Sequence, residues 1–233
     1  RIKVLALVRR LSDINKLSEV RGSEYFKIVY LEDGVENIFY GNAEITHVIH
    51  TMTNYGSKNE SSLEVFNVNE KIALEILQAS ASLINKITFI NTHTSLPMLT
   101  NFYSVAKTNF VNWGKYFAAS DKIQFINIES EHFYGPNDGR FIEYLVKSML
   151  EPVSNLDLTL GKQKRDFIFI DDVVSAYLFL VNNCNNINEN YLNIGLGSGE
   201  TIEIKELVLL IQQFTNNKTT KLNFGAIAYR KNE

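Results

Sequence analysis

The sequence predicts an α/β fold: a doubly wound parallel sheet covered by helices, followed by a smaller C-terminal lobe. Three observations predict it. Short β-branched apolar runs alternate with segments of 3.6-residue periodicity through the first half, as strands alternate with covering helices. Tyr103 and Lys107 fall four apart in one of the helical segments. After residue 134 the strands shorten and turns multiply, beginning with Gly135-Pro136-Asn137-Asp138-Gly139. The domains predicted are therefore 1–134 and 135–233, the second returning in part to the main sheet.

Each element has its own warrant. Ile2–Val8 opens the chain as a strand ending at Arg9 and Arg10; Tyr25–Leu31 is a second, ending at Glu32 and Asp33; Ile45–His50 is a third. Residues 61–82 read as a helix, with Val65, Val68, Ile72 and Ile76 as an apolar stripe that Ala73 and Leu77 widen. Lys86–Ile90 is a buried strand running to Asn91-Thr92-His93-Thr94, and a helix over 103–118 leads to the strand Ile123–Ile128. In the second half, Phe141–Leu150 reads as a helix. Arg165–Ile170 reads as a strand entering Asp171-Asp172, which can cap a helix over Val173–Val181. Thr201–Phe214 is amphipathic, with Thr201 and Glu203 near a favourable helix start.

At 233 residues and 45% hydrophobic content, the chain can bury one sizeable core plus a small second lobe. A formal charge of -3 offers no basic surplus for nucleic acid or an anionic membrane. Cys184 is the single cysteine, which excludes an internal disulfide and fits a reducing compartment. No apolar run is long enough to span a bilayer and no signal-peptide pattern is present, so the expected setting is the cytoplasm. His47 and His50 flank a strand end without a third ligand at metal-like spacing, so no metal is predicted.

On a helix, residues four apart share a face, which brings the Tyr103 phenol near the Lys107 ammonium. A phenol titrates near pH 10, and an adjacent cation lowers that value, making Tyr103 a candidate general acid/base. The competing meaning of the spacing is a surface Tyr packed on a Lys stem. Thr92 stands at the carboxyl end of a strand, where open α/β sheets bind ligands. Its hydroxyl there suits hydrogen bonding to the carbonyl oxygen that Tyr103 would protonate.

Five marks follow one another along the chain: Val48-Ile-His50, Phe89-Ile-Asn-Thr92, Tyr103-x-x-x-Lys107, Phe133-Tyr-Gly-Pro136 and Arg165-Asp-Phe-Ile-Phe-Ile-Asp-Asp172, the last with Gly161 ahead of it. In type and order they resemble the extended short-chain dehydrogenase/reductases of the nucleotide-sugar epimerase/dehydratase type, which implies a Rossmann-like sheet, an NAD(P) cofactor and a nucleotide-sugar substrate. Within that family, Asn91-Thr92, the stretch from Asn127 to Pro136 and the tail from Phe224 to Glu233 resemble enzymes that reduce CDP-linked 4-keto-deoxyhexoses with NADPH in polysaccharide and O-antigen sugar synthesis. The chain departs from the family in lacking the first strand and its G-x-x-G-x-x-G phosphate loop, so it is read as part of a longer enzyme. The interval from Thr92 to Tyr103 is short, and Glu129 stands where the family often has Arg.

The resemblance implies roles residue by residue. The chain's first strand matches the family's second, so Arg9 and Arg10 take the place where a basic side chain suits the 2′-phosphate of NADP rather than the ribose diol of NAD. Asp33 would face the adenine amine. Thr51, Met52, Thr53 and Ser130 would line the cofactor, and Asn69 would sit behind the active site, with Asn67 as the alternative in the other register. Thr94, His132, Arg165 and Arg230 would contact the substrate, the guanidinium groups matching its pyrophosphate. Thr92, Tyr103 and Lys107 would be catalytic, Lys107 also holding the nicotinamide ribose. A homodimer built on the helices at 61–82 and 103–118 is implied. His93 and Thr94 follow Thr92 with no carboxylate, which disfavours a 4,6-dehydratase. A 4-ketoreductase is the expected activity, with a 4-epimerase or a non-catalytic remnant of the same fold as alternatives.

Overall fold

The structure, a computed structural model, describes residues 2–151 and 153–229. In chain order the elements are β1 (Val4–Val8), β2 (Phe26–Tyr30), α1 (Val35–Tyr40), β3 (His47–His50), α2 (Ser62–Phe66), α3 (Ile72–Ala81), β4 (Ile87–Thr94), α4 (Phe102–Ala118), β5 (Ile123–Ser130), β6 (His132–Tyr134), α5 (Phe141–Leu150), β7 (Asn155–Leu158), β8 (Lys164–Phe169), α6 (Ile170–Asn183), β9 (Tyr191–Leu196), β10 (Thr201–Glu203), α7 (Ile204–Phe214) and β11 (Lys221–Phe224). They form two compact units. The first comprises Arg1–Asn91, Asn101–Asn127 and Glu189–Leu192; the second comprises Thr92–Thr100, Ile128–Asn188 and Asn193–Glu233.

In the first unit, β1 and β2 pair in parallel, Val4 opposite Phe26 and Val8 opposite Tyr30. A separate sheet has the strand order β3-β4-β5-β9, with β3 parallel to β4 and His50 opposite Asn91. The α/β class with parallel pairing is thus as the alternating pattern predicts. The core joins Val35 and Phe39 of α1, Ile76 and Leu77 of α3, Phe89 of β4, Phe110 of α4 and Phe125 of β5. Phe89 and Phe125 stack at 5.5 Å, and Phe110 lies 5.9 Å from each. Helix α4 reaches this stack only because residue 114 has no side chain: a Cβ there would lie 2.2 Å from Phe125 Cζ.

The helix expected over 61–82 forms with a change of winding. Ser61 and Glu64 make a capping box, the Ser61 hydroxyl accepting from Glu64 N–H at 3.3 Å and the Glu64 carboxylate accepting from Ser61 N–H at 2.7 Å. Between α2 and α3, Asn67–Lys71 is a π turn. Its cause is Asn69, fully buried, whose amide donates to the Val65 carbonyl at 3.0 Å. In an α-helix that carbonyl belongs to the backbone N–H four residues on, so the side chain displaces the normal ladder and widens the turn.

In the second unit, β8 lies between β6 and β10, parallel to the former and antiparallel to the latter. Strands β7 and β11 pair in parallel. Leu145 and Met149 of α5, Leu156 and Leu158 of β7, and Ile204, Val208 and Ile211 of α7 form its core. Two local expectations are corrected here. Helix α6 starts at Ile170 without a side-chain cap, and Asp171 and Asp172 occupy its first turn, where they complement the helix dipole. Thr201–Glu203 is a strand rather than a helix start, because the edge of β8 offers it a ladder, Thr201 opposite Asp166.

Gly114→Ala should cost the protein about 1–3 kcal/mol, the usual range for overpacking. Urea unfolding monitored by circular dichroism measures it, and an unchanged midpoint would show that α4 and Phe125 can separate freely.

Candidate active site

Three polar residues cross the carboxyl ends of β3, β4 and β5 where apolar ones would be expected. His50, Asn91 and Asn127 are all buried. His50 Nδ1 lies 3.1 Å from Asn91 Oδ1, and the Asn91 amide donates to Asn127 Oδ1 at 2.8 Å. The His50 ring packs between Phe110 and Phe89, at 5.2 and 5.9 Å. Burial, with the Lys107 ammonium second, pushes the His50 pKa down to about 3, against the opposing bond to Asn91. His50 is therefore a neutral imidazole that fixes the amide orientation of its neighbours.

Tyr103 and Lys107 are buried on one face of α4, 7% and 0% exposed, so the surface pairing of Tyr on a Lys stem does not apply. Asn101 caps this helix by accepting from Ser104 N–H at 2.9 Å. The Lys107 ammonium donates to the Met52 carbonyl at 3.2 Å, on the segment leaving β3. Burial draws the Lys107 pKa down to about 8, which leaves it largely charged at neutral pH. The Tyr103 ring lies 5.0 Å from that of Tyr55. Thr51 and Thr53 flank Met52, the Thr53 hydroxyl donating to the Thr51 carbonyl at 3.4 Å. Asn69 fixes the next step of this segment, accepting from Asn54 N–H at 2.9 Å and donating to the Asn54 carbonyl at 2.7 Å. Asn67, the alternative register, is exposed.

At the end of β1, Arg10 forms an ion pair with Asp33, its backbone N–H donates to the Glu32 carboxylate at 3.1 Å, and its guanidinium lies 4.7 Å from the Tyr30 ring centre. The two sites that the sequence assigned to different parts of a cofactor are thus joined directly. Arg9 is exposed beside them.

Thr92, Thr94, Ser130, His132 and Arg165 belong to the second unit. The Thr92 hydroxyl lies 2.6 Å from the Tyr177 phenol. Thr94 is buried and its hydroxyl accepts from Leu96 N–H at 3.2 Å; Ser130 donates to the His93 carbonyl at 2.6 Å. The His132 ring is 5.6 Å from Phe167, and burial, followed by the Arg165 guanidinium, lowers its pKa against the opposing Glu131 carboxylate. Arg165 donates to the Lys164 carbonyl at 2.8 Å. Arg230 lies outside the described residues. Among the described residues no group of three His, Cys, Asp or Glu is assembled that could hold a metal ion, and no helix is long and apolar enough to cross a membrane.

Two groups stand out that the sequence did not flag. Asp166 accepts from Ser198 N–H at 2.8 Å, the Ser198 hydroxyl at 2.7 Å and Gly199 N–H at 2.9 Å. Burial alone would raise its pKa, but those donors hold it below the usual carboxylate range. Tyr177 falls on the inward stripe of α6 with Val173 and Leu180, so its spacing reads as core and nothing in the sequence announces its hydroxyl.

A parallel sheet with polar side chains gathered at its strand ends, beside a buried Tyr/Lys helix face, is the kind of edge at which open α/β sheets bind ligands. The chain belongs to the NAD dependent epimerase/dehydratase family, whose model matches residues 2–195. It is 32% identical to CDP-abequose synthase of Salmonella typhimurium (strain LT2) over 243 aligned positions, which cover 100% of this chain and 79% of that enzyme. It is 32% identical over 208 positions to CDP-abequose synthase of Salmonella muenchen, covering 85% of this chain and 69% of the other. Among solved structures, UDP-glucuronic acid 4-epimerase from Bacillus cereus, in complex with UDP-glucuronic acid and NAD, superposes with a TM-score of 0.79 at 18% identity, covering 95% of this chain and 77% of its own.

The depressed His50 pKa predicts acid sensitivity. The unfolded imidazole binds its proton near pH 6.5 and the folded one only near pH 3, so stability falls as pH drops between those values, by at most about 1.4 kcal/mol per pH unit from this group. Replacing His50 with Asn should flatten the slope of unfolding free energy between pH 4 and 6.5; His47 and His132, also lowered, retain part of it. An unaltered slope would show that His50 titrates normally.

Proposed function

We propose that this protein is a nucleotide-sugar oxidoreductase that uses NADPH to reduce the 4-keto group of a CDP-linked 4-keto-6-deoxyhexose, in cytoplasmic synthesis of polysaccharide sugars of the O-antigen type. The observation that carries the reading is the similarity to CDP-abequose synthase over the whole chain. Residues 1–134 would bind the cofactor and the later residues mainly the sugar nucleotide.

The residues present suit such a cofactor. Lys107 keeps a buried cation against the main chain after β3, and Arg9 and Arg10 place two guanidinium groups at the end of β1. The chemistry a bound NADPH supplies is hydride donation to the carbonyl carbon. The protein's own part is proton management. Tyr103 gives its phenolic proton to the carbonyl oxygen as that oxygen becomes an alkoxide, and Lys107 holds the resulting phenolate at lower cost. Thr92 would be the catalytic hydroxyl, a hydrogen-bond donor suited to developing negative charge. No carboxylate follows Thr92, so the residues serve reduction rather than loss of water. Thr94, His132, Arg165 and Arg230 would grip the sugar and pyrophosphate, and Thr51, Met52, Thr53, Asn69, Asp33 and Ser130 would shape the cofactor site. For a 2′-phosphate to be held by Arg10, it must compete with Asp33 for the guanidinium.

We also propose a homodimer through α2 and α4. Leu63 is 75% and Tyr116 71% exposed, with Phe66 and Trp113 exposed beside them.

Incubating the protein with NADPH and CDP-4-keto-6-deoxyhexose should consume one NADPH per sugar reduced, with the new C4 hydroxyl visible by NMR. Interconversion of C4 epimers without net NADPH loss would identify an epimerase, and no saturable NADPH fluorescence would identify a remnant. Tyr103→Phe should lower kcat by about 100-fold or more while leaving KM nearly unchanged. Replacing Arg9 and Arg10 together by Ser should raise KM for NADPH by roughly tenfold, the scale of one lost charged phosphate contact, with little effect on NADH. Leu63→Asp should convert a dimer to a monomer in sedimentation equilibrium.

A further inference from the structure

We infer that Tyr55 is a positioning residue for the Tyr103 phenol: its ring packs against the Tyr103 ring and fixes the direction in which the phenolic oxygen points. The inference deepens the reductase reading given above and rests on it. Its structural basis lies within the first unit, where the two ring centres are 5.0 Å apart and the ring planes are tilted by 40°. Aromatic rings at that spacing attract one another, and the attraction depends on their mutual angle. Helix α4 sets where the Tyr103 side chain starts, but two side-chain torsions separate that point from its oxygen. A neighbouring ring is what selects among them.

The backbone that carries Tyr55 is held on both sides of it. Residues 51–55 belong to no helix or strand, so no regular ladder fixes them. Side chains do so instead. Lys107 donates to the Met52 carbonyl at 3.2 Å, and Asn69 takes both backbone groups of Asn54, accepting from its N–H at 2.9 Å and donating to its carbonyl at 2.7 Å. The Asn54 side chain in turn accepts from Gly56 N–H at 2.9 Å. Gly56 has φ +66°, a left-handed conformation that glycine adopts freely, and a Cβ there would come 3.1 Å from Val65 Cγ2. Tyr55 thus stands between two pinned residues, and its ring reaches Tyr103 from a fixed base. The two rings differ in exposure: Tyr103 is 7% exposed and Tyr55 47%, so Tyr55 contributes cover to the Tyr103 ring while part of its own surface meets solvent. Lys107, four residues beyond Tyr103 on α4, anchors the start of the same segment, so the cation and the covering ring are both referenced to one piece of main chain. The contact is made by the ring of Tyr55 and not by its hydroxyl, which separates this role from acid/base chemistry at Tyr55.

A double-mutant cycle on the full chain tests this, with kcat and KM for NADPH-dependent reduction of CDP-4-keto-6-deoxyhexose as readouts. Tyr55→Ala should lower kcat by roughly tenfold while KM stays within about twofold, because a misdirected proton donor slows the reaction without loosening the ligands. Tyr55→Phe, which keeps the ring, should recover most of that rate. In the Tyr103→Phe background, Tyr55→Ala should cost nothing further, since no hydroxyl is left to direct. A second readout does not depend on turnover. In protein labelled with 3-fluorotyrosine, the fluorine NMR signal of Tyr103, assigned by its loss in Tyr103→Phe, should move in Tyr55→Ala and stay near its parental position in Tyr55→Phe. The same loss of kcat in both backgrounds, a rise in KM that accounts for the fall in kcat/KM, or a Tyr55→Phe protein as slow as Tyr55→Ala would overturn the proposal and leave the reductase reading intact. An inactive parent protein would overturn the reading and the proposal together. Urea unfolding separates loss of fold from loss of position: a Tyr55→Ala protein that unfolds at markedly lower urea than Tyr55→Phe would assign the rate loss to packing and count against the proposal.

Discussion

Taking the Lys107 ammonium out of water removes its hydration, and the surrounding chain must supply dipoles in its place. Its hydrogen bond to the Met52 carbonyl is one such dipole, and it ties the middle of α4 to the segment that leaves β3. Asn69 then pins the next residue of that segment, Asn54, by both its N–H and its carbonyl. Burial, reinforced by this cation, keeps His50 neutral, and its Nδ1 meets Asn91, whose amide in turn donates to Asn127. With burial first and the Lys107 charge second in holding this histidine neutral, its bond to Asn91 begins a chain of hydrogen bonds across three successive strands.

The second unit is organised by a different device. Asp166, on the central strand β8, gathers two amides and a hydroxyl from the turn at Ser198–Gly199. Gly197 is tolerated there as the only residue type that fits, since a Cβ would fall 2.5 Å from the Asp166 carboxylate. The carboxylate is a structural anchor, and its low pKa follows from three donors rather than from any catalytic duty.

Much of this was legible in the sequence. β1, β2, β3, β4, β5 and β8 lie where apolar β-branched runs predict them, and α4 begins one residue before the expected 103–118. The Tyr103/Lys107 face was legible as spacing, but its burial was not, because periodicity gives a face and does not say what covers it. The π turn escaped detection since it arises from a side chain competing with the backbone, a tertiary demand of Asn54 on Asn69. Strands β6, β7, β9 and β11 were missed, and β10 was read as helix, for a common reason: most are only three or four residues long and owe their conformation to a partner distant in sequence. Tyr177 was invisible for the opposite reason, since a buried aromatic on an amphipathic helix carries no mark that its oxygen matters.

The alternation along β8 has an engineering consequence. Asp166 and Ile168 face inward while Arg165 and Phe167 lie on the other face, and the strand is flanked on both sides by partners only three residues long. Such short neighbours offer little resistance to sliding, so the anchoring of Asp166 is what holds the frame. A slip of β8 by one residue would swap the guanidinium and the carboxylate between faces in a single step. Redesign of the loop ahead of Lys164 must therefore keep the Asp166 contacts, whatever length is chosen.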